Sequence, residues 1–367
     1  MPWPAASDLL APLGPWFDRV RRDLPWRAED LDAPHPDPYA VLVSELMLQQ
    51  TQVATVIPYF TRWMERFPTP AALAAADEDA VHKAWEGLGY YRRARFLKAA
   101  SACVAADGWP AGLDGLAELP GLGPYTAAAV GSIAFQWPTP ALDGNAFRVL
   151  ARILLLEGDP KIRAGDLRVW LTPALAAHGP SRMTQALMEM GATVCTPLPA
   201  CGRCPLADRC GARGADRTAE IPPPARRTAV READLWLLAV EAEGHFLLHP
   251  PAEKGLLAGL WRWPTTDRPG PGLGLETAPG LRAWPGWTQV YTHRREGVNP
   301  LHLTLPKRFA ENGGLRWISR EDLAALPMGK RDQRLRNLLE TPGAVPLDAP
   351  DPACLLAALR AGGDPSA

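Results

Sequence analysis

The chain has 367 residues, of which 47% are apolar, a formal charge of −1 at pH 7 and six cysteines. That is enough apolar material for two domains of ordinary size, too few cysteines for a disulfide scaffold, and no global positive field of the kind that coats polyanions, although a local basic face stays open. No run approaches the ~18 apolar residues of a membrane span, and the N-terminus MPWPAASDLLAPLGPWF lacks the basic start and apolar core of a signal peptide. A soluble intracellular protein with no membrane partner is expected, in a reducing compartment.

From residue 8 to 212 apolar residues recur three and four apart, punctuated by Gly and Pro, which predicts an all-α region of ten or so helices. Asp37-Pro38 reads as an N-cap and first-turn pair opening a helix over Tyr39–Leu48. Thr51 is placed to cap a second helix through Val53–Phe60. Further helices are expected over 78–86, 92–106, 125–134, 146–156, 165–177 and 181–195. Residues 213–231 (RGADRTAEIPPPARRTAVR) read as an extended, semi-rigid linker. Beyond it, strands are predicted over 235–240, 245–249, 288–293, 301–305 and 315–318, and helices over 321–326 and 331–339. The fold class is therefore multi-domain: an all-α domain over 8–212, a small α+β domain over 232–342, and a flexible tail over 343–367. The Gly/Pro-rich stretch 268–286 reads as loop.

Cys195, Cys201, Cys204 and Cys210 form a C-x5-C-x2-C-x5-C run. Four thiolates in so short a span can ligate either a zinc ion or an iron–sulfur cluster, and the spacing alone leaves both open. Cys103 and Cys354 stand alone and read as incidental thiols.

Four further motifs carry chemistry. In Leu119-Pro120-Gly121-Leu122-Gly123-Pro124-Tyr125, two helices meet at a tight Gly-x-Gly turn. Gly121 and Gly123 let a backbone come close, and the next helix offers N–H groups to a phosphate. An ordinary helix connection has the same local pattern. Asp143 in Leu142-Asp143-Gly144-Asn145 reads either as a plain N-cap or as a carboxylate kept ionised by the helix start to face a developing cation. Glu45 interrupts the apolar run Val41, Leu42, Val43, Leu46, Leu48. A carboxyl in that company has a raised pKa and suits general-acid work, whereas on a solvated stripe it would be ordinary. The amides of Gln49 and Gln50 could pair with bases. Finally, Arg22, Trp26 and Arg27, then Tyr90, Tyr91, Arg92, Arg93 and Arg95, interleave aromatic and basic side chains, as base stacking and phosphate contact require. Core aromatics beside a solvated charge run give the same composition.

Taken in order, SELMLQQTQV, LPGLGPYTA, LDGN, ALMEMGA and the four-cysteine run resemble the endonuclease III superfamily of helix-hairpin-helix DNA glycosylases. Within it, LMLQQTQVATVIPYF, WEGLGYYRRAR, LDGNAFRVLAR and KGLLAGLWRWP resemble the MutY family of adenine DNA glycosylases. The resemblance covers most of the chain. It implies a six-helix barrel module with an iron–sulfur module, a Nudix-like recognition domain, and removal of adenine mispaired with 8-oxoguanine or guanine in duplex DNA. It implies Glu45 as the acid that protonates adenine, Asp143 as the stabiliser of the sugar cation, and Tyr125 and Asn145 in support. Glu189 would hold the flipped base with Trp26, Arg22 and Arg27; Gln50 and Tyr90 would enter the duplex; Thr292 and His293 would read 8-oxoguanine. The four cysteines would ligate one [4Fe–4S] cluster. A monomer associated with the nucleoid is expected.

Tyr125 stands where lyase members of the superfamily carry a nucleophilic Lys, so a monofunctional glycosylase is implied. The rival readings are an endonuclease III-like lyase for oxidised pyrimidines and a metal-stapled DNA-binding module without chemistry. Three departures stand out. The first cluster loop, TPLPA, is one residue shorter than the family's and has no Lys or Arg, leaving Arg203 or Arg209 to substitute. The segment RAEDLDAPHPDPYA is longer than expected and reads as a surface loop. The second domain has no RExxEE box, so pyrophosphate hydrolysis is not expected.

Overall fold

The computed structural model describes residues 3–223, 230–253, 255, 257–266, 281–291, 294–311 and 314–339. Two compact units are present, Met1–Ala75 with Phe96–Arg226, and Ala76–Arg95 with Arg227–Ala367. The first is all-α and the second α+β, as expected. Residues 76–95, expected within the helical region, group with the second unit. Among the described residues no helix is long and apolar enough to cross a membrane.

In the helical unit, Pro38–Leu48 is buried on every side from Tyr39 to Met47. Its start is fixed by Asp37, whose Oδ1 accepts from the amides of Tyr39 and Ala40 at 3.0 and 3.2 Å. Pro124–Phe135 is equally apolar all round. Helices without a polar face must lie inside a bundle, and this pair forms its centre. The Gln49 amide ties them by donating to Thr126 Oγ1 at 3.1 Å. Val53–Arg66 is longer than predicted, and Thr51 does not cap it. The Thr51 hydroxyl donates instead to the Gln49 carbonyl at 3.3 Å.

A second core joins Ala6–Leu10 and Leu13–Val20 to Gly144–Ile153, Ala164–His178 and Pro180–Thr193. Gly191 permits the closest crossing, because a Cβ there would lie 2.6 Å from Asn145 Cβ. The 27–37 segment is not a free surface loop. Leu31 is buried in this core, and Gln136 donates to the carbonyls of Leu31 and Ala33 at 2.9 and 2.7 Å. Arg182 also pairs with Asp32 and Asp18. The first half of the expected linker is likewise docked: Ile221 is buried, and the buried Arg152 donates to its carbonyl at 2.8 Å.

The second unit holds a seven-stranded sheet: β1 (Arg231–Ala242), β2 (His245–Leu248), β3 (Thr265–Thr266), β4 (Leu281–Ala283), β5 (Trp287–Val290), β6 (Arg294–Leu305) and β7 (Arg316–Ser319). The order is β4-β6-β1-β2-β7, with β3 on β1 and β5 on β6. β1 and β6 run parallel from Arg231↔Arg294 to Ala242↔Leu305; the other pairs are antiparallel. The period-2 pattern sorts β1 between two cores. Leu238, Val240 and Ala242 face one, while Leu235, Leu237 and Ala239 face the other, which the helices Arg320–Ala325 and Lys330–Leu339 complete with Leu323 and Leu335. β3 and β4 were not expected; two or three residues carry too little periodicity to read.

The Gly-x-Gly turn joins Leu113–Glu118 to Pro124–Phe135. Gly121 has φ +79°, and a Cβ on it would lie 2.3 Å from Phe96 Cβ. Gly123 has an ordinary φ of −75° and open space around its Cα. Gly121→Ala should therefore lower stability by about 2–4 kcal/mol, from left-handed strain plus overpacking. Gly123→Ala should leave it nearly unchanged. Urea midpoints at constant slope check the contrast.

Candidate active site

A cavity of about 380 Å³ opens in the helical unit. Nine residues implied as catalytic or DNA-binding line it, namely Arg22, Trp26, Arg27, Glu45, Gln50, Tyr125, Asp143, Asn145 and Glu189, and Gln49 and Thr51 join them. They come from five separate segments, so the chain spacing alone could not have shown their convergence. Gly121 and Gly123 lie outside the lining, in the hairpin turn. Tyr90 belongs to the other unit. Thr292 and His293 lie outside the described residues.

Glu45 sits in the middle of the apolar helix and is 6% exposed. Burial pushes its carboxyl up to about 7, with a further upward push from Asp143. The Tyr125 hydroxyl opposes this by donating to Glu45 Oε2 at 3.1 Å. A carboxylic acid poised near neutral pH can both give and take a proton. Burial also pushes the Tyr125 phenol well above its usual range, so it stays a donor.

Asp143 is the N-cap that its sequence suggested. Its Oδ1 accepts from the Ala146 amide at 2.6 Å, and its Oδ2 from Asn145 Nδ2 at 3.1 Å. Burial raises its pKa, while these donors and nearby Arg148 pull it back towards the charged form. Arg148, not anticipated, holds this end in place. It donates to Asn145 Oδ1 at 2.6 Å, to the Gly191 carbonyl at 2.8 Å and to the Cys195 carbonyl at 2.8 Å. The only signal was its place three residues after Asn145, on the same helix face. Ser44, Gln185 and Met188 also line the cavity without having been expected.

At another wall, Glu189 is 1% exposed and held by two guanidiniums. Arg22 Nε donates to Oε1 at 2.6 Å and Arg22 Nη2 to Oε2 at 3.1 Å; Arg27 Nη2 donates to Oε2 at 2.7 Å. Burial works to raise this carboxyl, but the arginines win and hold it below its ordinary range. Arg27 is itself placed by Gln185 Oε1 at 3.0 Å. Trp26 is buried edge-on against Phe60. Gln50 is exposed at the cavity and has φ +54°, a left-handed conformation that costs a non-glycine residue free energy.

The four clustered cysteines are free and half-buried, three of them against the core beneath Gly144–Ile153 and Pro180–Thr193. Burial pushes Cys204 up to about 11, and the three other thiols add to the shift. Backbone amides aim at two of them: Leu206 at Cys204, and Ala212 and Arg213 at Cys210. Among the described residues no three His, Cys, Asp or Glu side chains close on a point that one metal ion would fill. Arg152 turns the TPLPA loop inward, taking the Thr196 and Pro197 carbonyls at 2.6 and 3.0 Å. Arg203 and Arg209 are exposed, but each spends a donor on a backbone carbonyl, of Thr193 and Asp8.

Residues 43–173, which carry both Glu45 and Asp143, match the HhH-GPD superfamily of base excision DNA repair proteins. A solved thermostable thymine-DNA glycosylase shares the fold of the helical part, with a TM-score of 0.50 and 24% identity, over 57% of this chain and 97% of that one. Among curated relatives, the adenine DNA glycosylase of Rattus norvegicus is 34% identical over 384 residues, covering 84% of this chain and 73% of its own. That of Arabidopsis thaliana is 36% identical over 289 residues, covering 68% of this chain; the match spans 46% of the Arabidopsis protein. The chain belongs to the adenine DNA glycosylase family within the HhH-GPD superfamily.

Tyr125→Phe removes the donor that favours ionised Glu45. The Glu45 carboxyl, followed by carbon-13 NMR or difference infrared titration, should titrate near pH 7 in the wild type and at higher pH in the variant. A downward shift would contradict the assigned role of the phenol.

Proposed function

We propose that this protein hydrolyses the N-glycosidic bond of adenine mispaired with 8-oxoguanine or guanine in duplex DNA, as a monofunctional base excision repair enzyme. The observation that carries the reading is the buried Glu45 carboxyl near pKa 7, sharing one cavity with Asp143. Adenine must leave the base stack to enter, at a cost of ~a few kcal/mol that is smaller at a mispair. Glu45 gives its proton to a ring nitrogen. The glycosidic bond breaks with its electron pair going to the base, and the sugar becomes an oxocarbenium-like cation. Asp143, held by the Ala146 amide and Asn145, faces that charge, through electrostatics or a transient covalent bond. Water adds to the sugar carbon, and Glu45 takes up its proton. Two carboxyls in contrasting environments divide the acid and stabiliser tasks, as in O-glycoside hydrolysis.

Glu189, kept ionised between Arg22 and Arg27, presents an acceptor to the exocyclic amine of adenine, and Trp26 supports the base. The exposed, left-handed Gln50 and Tyr90 are suited to enter the duplex. The Gly121–Gly123 turn opens a helix whose N-terminus no side chain caps, leaving donors for a phosphate. The second unit, with its mixed sheet and flanking helices, is proposed as a Nudix-like reader of 8-oxoguanine through Thr292 and His293. We assign one [4Fe–4S] cluster to Cys195, Cys201, Cys204 and Cys210. In support, the four free thiols fall within one short stretch of chain, and three of them pack against the same core. The protein is proposed to act as a monomer on DNA inside the cell. Tyr125 offers no amine, so no Schiff-base lyase step is assigned.

Glu45→Gln should abolish adenine release and spare binding to an 8-oxoguanine:adenine duplex; retained release would overturn the mechanism. With alkali added as a separate step, strand scission should need it, and borohydride should trap no adduct at the level of turnover. The purified protein should be brown and carry iron with acid-labile sulfide, whereas stoichiometric zinc would contradict the cluster.

A further inference from the structure

Tyr90 stands at the tip of a turn whose construction is unusual for an exposed loop. Gly87, Gly89 and Tyr90 all have positive φ, of +99°, +74° and +49°. The Tyr90 side chain is nevertheless 44% exposed. Glycine takes such angles freely, so the strain lies at Tyr90, and it persists only where the surroundings over-determine it. They do so here from beneath. Arg93 is 6% exposed and donates to the carbonyls of Gly89 at 2.9 Å, Leu88 at 3.4 Å and Tyr90 at 3.4 Å. Its guanidinium also lies 5.4 Å from the Tyr90 ring centre and 5.2 Å from that of Trp85. The whole turn is then bolted to the sheet-bearing part of its own unit. The Tyr91 hydroxyl accepts from the Gly87 amide at 3.1 Å and donates to the Met328 carbonyl at 3.4 Å. Glu86 Oε1 accepts from the Met328 amide at 2.9 Å. Arg95 donates to the Glu253 carbonyl at 3.2 Å.

We infer that Tyr91 is a positioning residue: its hydroxyl, bridging Gly87 and Met328, holds Tyr90 in a pre-formed duplex-entering conformation and makes the Tyr90 turn a working part of the sheet-bearing unit. The inference rests on the proposed DNA function. Its consequence is that the element proposed to read 8-oxoguanine and the side chain that probes the stack are one mechanical body. The entropy of ordering the probe is then met on folding rather than on binding.

A double-mutant cycle tests it. Adenine release under single-turnover conditions and affinity for an uncleavable duplex are measured for the full chain, Tyr91→Phe, Tyr90→Ala and the double variant, with urea midpoints as a folding control. Tyr91→Phe should weaken duplex binding roughly tenfold, as expected for one buried bridge lost. It should cost nothing further once Tyr90 is Ala. Equal losses in both backgrounds, or no loss in either, would overturn the inference, as would a Tyr90→Ala chain that binds like wild type. Glu86→Leu, which removes the acceptor of the Met328 amide, gives a second route, and should behave as Tyr91→Phe does in both backgrounds. If the wild-type chain releases no adenine, it is the proposed function that fails, a result distinct from any outcome of the cycle.

Discussion

Much of this molecule follows from keeping one carboxyl dry. Glu45 lies inside a helix that is apolar on every face, and withdrawing a carboxylate from water is costly enough to move its pKa by units rather than tenths. That withdrawal needs a second all-apolar helix alongside, which Pro124–Phe135 supplies. The first turn of the same helix carries Tyr125, whose hydroxyl donates to Glu45. The Gly-x-Gly turn lies immediately before it, and no side chain caps the helix start there. The proposed phosphate-facing turn and the acid's hydrogen-bond partner therefore share one helix end.

The other two carboxyls of the cavity are treated differently. Asp143 keeps a backbone amide, a side-chain amide and a nearby guanidinium, so burial is partly offset by donors. Glu189 is buried almost completely yet held charged by Arg22 and Arg27. Three carboxyls in one cavity thus have three different surroundings: one dry and raised towards neutrality, one capped by donors, and one held charged by guanidiniums. Arg148 links the second of these to the cysteine loop through Asn145 and the Cys195 carbonyl, and Arg152 takes the Thr196 and Pro197 carbonyls. An uncharged TPLPA loop makes structural sense in that light, since its carbonyls, turned inward to a buried arginine, have work within the fold.

Local chemistry was readable in the sequence wherever a residue contradicted its neighbours. A Glu in an apolar run, a Gly-x-Gly between helices, and an Asp before a helix each proved to sit where that contradiction suggested. Helix bodies followed their periodicity, with ends displaced by a few residues. What stayed hidden depends on contacts distant in sequence. Nothing local distinguishes Leu31 in a Pro- and Asp-rich stretch from a loop residue, yet a core is there to receive it. Residues 76–95 have the same helical pattern as their neighbours, and only their partners at Glu253, Met328 and Arg336 assign them to the sheet-bearing unit. The parallel pairing of β1 with β6 joins segments that have β2 to β5 between them in sequence, and period-2 patterning carries no information about partner or direction.

The central claim, that a buried Glu45 works as an acid because its surroundings keep it protonated near neutrality, is most directly tested by the pH dependence of adenine release in a single turnover. Protonated Glu45 predominates below its pKa, so the rate should hold at lower pH and fall by about tenfold per pH unit above about 7. A rate that stays level from neutral pH well into the alkaline range would contradict the account.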